Sequence, residues 1–402
     1  MTKQPFTLHV PDSELEYLKK KLEVSRFPDE LEGAGWNYGA PLNDVKRLVA
    51  RWKDGFDWRA SEAHINTLPQ FTRDIEVEGH GTLNIHYVHK KSKLESAIPL
   101  LFVHGWPGHF MEVSKILPLL TAVSPDQPSF HVVAFSLPGY GWSDAPKKPG
   151  FAAKQFAEVG HKLMLSLGYK EYVTQGGDWG HIITRTMQQA YGGTHIKAWH
   201  TNMPTAGPPQ FSKTPLQFLK FLVTPWTPKE KAGLARTMQF RQSGNGYFQE
   251  QSTKPQTLGY SLADSPVGLL AWIYEKLHDW TDNYPWTDDE VLTWVSIYWF
   301  SKAGPAASVR IYYETNKAGD WTTARWTKVP CGASYFAREL VQVPKPWFGA
   351  IANLVFTSDH DSGGHFAAFE VPELLVGDLR KMYGVGGPAF RVVPGKSGYA
   401  TA

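Results

Sequence analysis

The chain has 402 residues whose charges nearly cancel, 41 Lys and Arg against 38 Asp and Glu, for a formal +3. A length of this order suits two or three units of roughly 100–200 residues, or one large α/β unit with insertions, and buries enough surface to fold without disulfide or metal staples. With 42% hydrophobic and 20% charged residues, and no basic run longer than Lys19–Lys21, a disordered chain and a nucleic-acid binder are both excluded.

The lone Cys331 excludes an intramolecular disulfide framework and a cysteine-rich metal site, and fits a reducing compartment. The first residues lack the apolar core of a signal peptide, and no stretch reaches the roughly 18 apolar residues of a membrane span. A soluble, cytoplasmic protein is therefore expected. The 16 Trp, 17 Tyr and 22 Phe form a surplus of rings that ordinary packing explains as well as an apolar pocket does.

In chain order, residues 1–94 carry amphipathic helical stretches such as Pro11–Leu22, with Asp12 or Ser13 as expected N-cap, and turn strand-like at Asn84–Lys90. Residues 95–206 alternate short buried strands with helical patterns. Leu100–Val103 ends at His104-Gly105-Trp106-Pro107, His131–Phe135 at Pro138-Gly139, Tyr172–Thr174 at Gly176-Gly177-Asp178-Trp179-Gly180, and Ile196–Trp199 at Asn202-Met203-Pro204. Such alternation predicts βαβ units and an α/β fold with a mostly parallel sheet, whose chemistry gathers beyond the carboxyl ends of its strands. Residues 207–325 read as helical and aromatic-rich, the pattern of a helical lid inserted after the sixth core strand. In 326–402 the strands resume at Gly332–Phe336 and Ala352–Phe356.

Gly176-Gly177-Asp178-Trp179-Gly180 reads as strand, sharp turn, helix, the geometry of a nucleophile elbow with Asp in the place usually held by Ser. The competing reading makes Asp178 a helix N-cap. No Gly-x-Ser-x-Gly occurs, against a serine esterase. A carboxylate that attacks an sp³ carbon forms an alkyl ester, and water must then hydrolyse it with help from a base, usually His, oriented by an acid. His365, in a Gly-rich loop past the last strand, follows in the required chain order, with His360 as fallback. Glu339, Asp359 and Asp361 compete as the acid. Backbone N–H groups of Trp106 and Trp179 would form the oxyanion hole.

These segments, with Gly363-Gly364-His365-Phe366 running on to Glu370, resemble the epoxide hydrolases of the microsomal and fungal type. Residues 1–94 resemble that group's N-terminal region through Trp36-Asn37-Tyr38-Gly39 and the stretch from Arg51 to Arg59. Ala333–Trp347 is similar to its charge-relay stretch, which favours Glu339 as the acid, although Ala337 stands where proline is common. The resemblance implies the α/β-hydrolase fold and turnover of an apolar epoxide and water to a vicinal diol, with no cofactor and no metal. It implies two tyrosines that hold the epoxide oxygen, matched by Tyr247 and by Tyr312, with Tyr313 as competitor. His104, Pro107, Phe366 and Trp272 are expected pocket residues, and a homodimer through the lid is a further expectation. No N-terminal membrane anchor is expected, which would make the chain more similar to the soluble fungal branch. Rival readings are a haloalkane dehalogenase with the same Asp nucleophile and a catalytically silent relative that only binds apolar ligands.

Overall fold

The computed structural model describes residues 3–212, 214–321 and 325–400. The expected N-terminal region, lid and second core part thus each include positions outside the described residues: 1–2, 213 and 322–324, and 401–402.

Among the described residues nine strands form one sheet: β1 (Gln4–Pro5), β2 (Gln70–Val77), β3 (Gly81–Lys90), β4 (Ile98–Val103), β5 (Phe130–Phe135), β6 (Tyr172–Gly176), β7 (Ile196–Thr201), β8 (Pro330–Tyr335) and β9 (Asn353–Asp359). Their spatial order is β1-β2-β3-β5-β4-β6-β7-β8-β9. The six strands from β5 to β9 run parallel, while β1, β2 and β3 pair antiparallel at one edge. Every residue of β4, β5 and β6 is buried. The helices Ile116–Thr121, Ala153–Ser166, Asp178–Tyr191 and Pro372–Tyr383 leave these strands with no wet face, which is why they read as unbroken apolar runs rather than as alternation. Each Val or Leu so enclosed is worth about 1.5–3 kcal/mol.

The strands expected from 84 onward are all present with ends shifted by a few residues. β2 was not foreseen: its solvent-facing positions are polar, and it pairs with β3 through a turn whose Gly79 and Gly81 adopt φ of 76° and 78°. The expected N-cap at Asp12 or Ser13 is corrected. Pro11 is the N-cap residue of the helix Asp12–Glu23 and provides no capping side chain, and Asp12 lies in the first turn, where a carboxylate favours the positive end of the helix dipole.

Between β7 and β8 the described chain is helical, including Gly246–Thr253, Pro266–Asp279, Asp288–Trp299 and Arg310–Ala318. The N-terminal helices Leu42–Asp54 and Trp58–Ile65 grip this insertion from outside. Trp36 stacks on His278 at 3.5 Å and 4°, Arg51 makes paired 2.9 Å bonds to Asp289, and Ser61 lies 3.0 Å from Thr293. Exposed ion pairs such as Arg51–Asp289 are screened by solvent and contribute little, so the apolar contacts carry most of this attachment. No helix among the described residues is long and apolar enough to cross a membrane.

Candidate active site

The loops beyond β4, β6, β8 and β9 open at the same edge of the sheet, and each brings one group to a common point. After β6 the chain reverses at Gly177 and enters the helix Asp178–Tyr191, with Asp178 at φ 48°. That left-handed conformation is costly for a residue with a side chain, and the surroundings enforce it. A Cβ at Gly180 would stand 1.9 Å from Val103 O, and one at Gly176 would stand 2.6 Å from the Gly180 backbone. The two glycines let strand and helix meet at a separation no other residue permits. The strained turn lifts the Asp178 carboxylate away from its own helix, to which it makes no capping bond. Instead Trp106 N donates to Asp178 Oδ1 at 2.7 Å across the loop after β4.

The other oxygen, Oδ2, faces His365 Nε2 at 3.4 Å. On the far side of that ring, Nδ1 lies 2.7 Å from Glu339 Oε1, a carboxylate with no exposure at all. Leu340 N also donates to Glu339 Oε1 at 2.8 Å and fixes the acid. His365 N donates to Trp280 O at 2.8 Å. Burial by itself would lower the His365 pKa. Glu339 and Asp178 outweigh it and hold the pKa well above the ordinary 6.5. A carboxylate, an imidazole and a second carboxylate therefore stand in line, with a backbone amide on the other oxygen of the first.

The helical insertion closes the opposite side with rings. Tyr247 stacks on Trp106 at 5.4 Å and 9°, and Tyr312 stands edge-on to Trp106, Tyr247 and Trp179 at 5.7, 5.8 and 4.7 Å. The Tyr312 hydroxyl is buried and has no hydrogen-bond partner among the described residues. Burial and the charge of Asp178 hold Tyr247 well above pKa 10, and burial with Tyr247 and Asp178 does the same for Tyr312. Both stay protonated donors at neutral pH.

Residues 3–113 match the family model described as epoxide hydrolase N terminus, and residues 98–251 match the α/β-hydrolase fold. Epoxide hydrolase 1 of Sus scrofa is 36% identical over 411 residues, 95% of this chain and 88% of that one. The chain belongs to the epoxide hydrolase family. The Aspergillus niger epoxide hydrolase structure superposes with a TM-score of 0.82 at 35% identity, covering 94% of this chain and 95% of that one. The crystal structure of juvenile hormone epoxide hydrolase from the silkworm Bombyx mori gives 0.84 at 32% identity, covering 94% and 93%.

Within this epoxide hydrolase the remaining sequence candidates separate by position. Tyr313 is only half-buried and turns toward Lys317, whose ammonium lies 5.6 Å from its ring. Asp359 pairs with Lys345, and Asp361 pairs with Lys229 at the surface, so neither meets His365. His360 is bound to Asp378 at 2.6 Å, apart from Asp178. Phe366 lines the cavity at Asp178. His104 underlies it: its Nε2 accepts from Leu137 N at 3.1 Å, and the ring shapes the loop that carries Trp106. Pro107 O accepts from Trp294 Nε1 at 2.6 Å and fastens that loop to the insertion. Trp272 is not brought to the site; its indole donates to Gln251 at 2.9 Å.

Three contributors escaped the sequence reading. Trp280, at the end of Pro266–Asp279, packs 5.0 Å from Tyr247 and 5.1 Å from His365. Glu370 accepts from Asp282 N, Gly364 N and Phe366 N at 2.8–3.2 Å, tying the His365 loop to the insertion. Glu112 lines the cavity beside Asp178 and His365. The presence of Glu370 in the Gly363–Glu370 motif was a usable signal. Trp280 and Glu112 had none, because only the fold brings them near.

Proposed function

We propose that this epoxide hydrolase opens its substrate through a covalent ester on Asp178. The observation that carries the reading is the division of labour at that carboxylate, with Oδ1 held by the Trp106 amide and Oδ2 left toward His365. Oδ2 attacks an epoxide carbon, the C–O bond breaks, and the departing oxygen takes a proton from Tyr247 or Tyr312. Trp179 follows the nucleophile at the start of its helix, where a backbone N–H lacks an intrahelical acceptor. It completes the oxyanion hole with Trp106. His365, held by Glu339, takes a proton from water, and the hydroxide oxygen attacks Cγ of the ester. The tetrahedral intermediate collapses, the diol oxygen leaves with the proton from His365, and the proton left on the Asp178 carboxyl returns through water to the tyrosinate, which restores both groups.

The enclosing rings favour a small apolar epoxide, with water as co-substrate. In this reading residues 1–94 wrap the outside, 95–206 and 326–402 make the core, and 207–325 act as the lid. Pairing of two copies through the lid would cover the apolar helix Pro215–Val223, none of whose residues is buried. A cytoplasmic location accords with a single buried thiol at Cys331.

The mechanism is tested by single-turnover hydrolysis in ¹⁸O water. The diol should be unlabelled, its new oxygen taken from Asp178, and the label should appear in the Asp178 carboxylate. Label found directly in the diol after one turnover would overturn the covalent route.

A further inference from the structure

The reaction just described makes no use of the buried acid that shares a cavity with Asp178. Glu112 sits in the short turn Phe110–Val113, whose four residues are all buried. It lines one cavity with Gly105, Gly177, Asp178, Asn202 and His365. The loop that donates the Trp106 amide to Asp178 also wraps this acid. A Cβ at Gly108 would lie 1.6 Å from Glu112 Oε1, and one at Gly105 would lie 2.2 Å from Asp178 Oδ1. Two glycines in one turn thus bring the same backbone against both carboxyl groups.

No cation pairs with Glu112 among the ion pairs of the described residues. Burying a carboxyl without a charged partner is costly, and a Leu or Met would pack there at no such cost. Burial drives its pKa up to about 8; His365 pulls it down, Asp178 pushes it up, and backbone hydrogen bonds from His109 and Gly105 pull it down. Its field therefore reaches both members of the reacting pair. On the other wall, Asn202 Oδ1 accepts from Gln175 Nε2 at 2.7 Å, which fixes the orientation of its amide. The 3.4 Å between His365 Nε2 and Asp178 Oδ2 exceeds a good N–H···O contact, so the ring is free to engage a water that approaches Cγ from this cavity.

We propose that Glu112, with Asn202 opposite, holds the hydrolytic water in the cavity beside Asp178 and acts only in the second half of the reaction. This rests on the covalent-ester reading. The water gives one proton to His365 Nε2 while its oxygen bonds to Cγ, and a Glu112 oxygen accepts the second O–H. That acceptor exists whether or not Glu112 is itself protonated, because a carboxylic acid keeps its carbonyl oxygen.

Stopped-flow Trp fluorescence and intact-protein mass spectrometry, with styrene oxide as probe, separate ester formation from ester hydrolysis. Glu112→Met keeps the volume and removes the acceptor. Its ester should form within about 3-fold of the wild-type rate and hydrolyse about 100-fold more slowly, the scale set by misplacing a reacting group. The accumulated ester should appear as a mass increase. Glu112→Gln keeps an acceptor oxygen and should recover most of the hydrolysis rate, to within about 10-fold of wild type. If the Met variant does not fold, Glu112→Leu, which also lacks the acceptor, takes its place and carries the same expectation. The proposal is overturned if hydrolysis is unchanged in the folded variants, or if both steps slow equally, as a merely structural role requires. If the wild-type enzyme makes diol with no ester at all, it is the covalent reading that has failed.

Discussion

The two halves of the site are built by different physics. The core half hangs from the ends of parallel strands and is fixed by short directed bonds: 2.7 Å from Trp106 N to Asp178, and 2.7 Å from His365 to Glu339. The half contributed by the insertion is fixed by ring packing, with Tyr312 Oη left unbonded. Directed bonds hold groups whose charge persists or moves along one line. Packed rings leave hydroxyls available to whatever oxygen arrives between them. In the reaction proposed above the first half performs two steps on one carboxylate, whereas the second donates a hydrogen bond during ring opening.

The comparison breaks most sharply at the core. Asp178→Asn should lower diol formation by about 10⁴-fold or more, since loss of a nucleophile leaves only binding and the oxyanion hole. Initial rates within minutes of purification check this, with mass spectrometry to exclude deamidation back to Asp. His365→Gln should form the ester and fail to release it, so a burst of bound substrate with turnover down about 10³-fold is expected. If His365→Gln releases diol at the wild-type rate, the core half is not organised around that base.

The insertion half should fail more gently. Tyr312→Phe and Tyr247→Phe each remove one donor and should slow ester formation about 10- to 100-fold, the double variant more than either, with ester hydrolysis unchanged. Equal effects on both steps would show that the rings act by packing alone.

Legibility in the sequence follows the same divide. Asp178 and His365 were readable because a strained turn demands small residues around it: Gly176 and Gly180 are forced by contacts of 2.6 and 1.9 Å. The parallel strands were readable because burial on both faces leaves an unbroken apolar run. β2 was missed because half of it is wet, and its Arg73, Asp74 and Glu76 mask the alternation. Glu339 could be separated from Asp359 only by resemblance, since position along the chain does not say which acid turns inward. In the insertion the rings of Trp272 and Trp280 look alike in sequence, and only the helix end at Asp279 decides that Trp280 reaches His365. Packing of that kind leaves no fixed spacing to read.

A pH titration sharpens the contrast within the core itself. His365 carries a pKa raised well above 6.5 because Glu339 and Asp178 together overcome the cost of burying its charge. Ester formation neutralises Asp178 and removes one of those two supports. The pH midpoint for ester hydrolysis, which requires neutral His365, should therefore fall below the midpoint for titration of His365 in the free enzyme. The stability sign follows from the same shift. The charged His365 cluster contributes fully below about pH 6.5 and loses its contribution as pH rises through the folded-state pKa. The Tm difference between wild type and His365→Gln should accordingly be largest near pH 6 and shrink toward pH 10. A difference that grows with pH would mean that the ring is held neutral.

The smallest expected effect tests the insertion half at its edge. Tyr312 and Tyr313 are neighbours on the helix Arg310–Ala318, but consecutive residues on a helix point about 100° apart, and only Tyr312 turns inward. Tyr313 is half-buried with Lys317 over its ring, a contact worth about 0.5–1 kcal/mol where exposed. Tyr313→Phe keeps the ring and should leave kcat and KM within about 2-fold, with ester formation unaltered. A loss as large as that of Tyr312→Phe would mean that the helix turns in solution, so that ring packing alone does not fix which phenol faces Asp178.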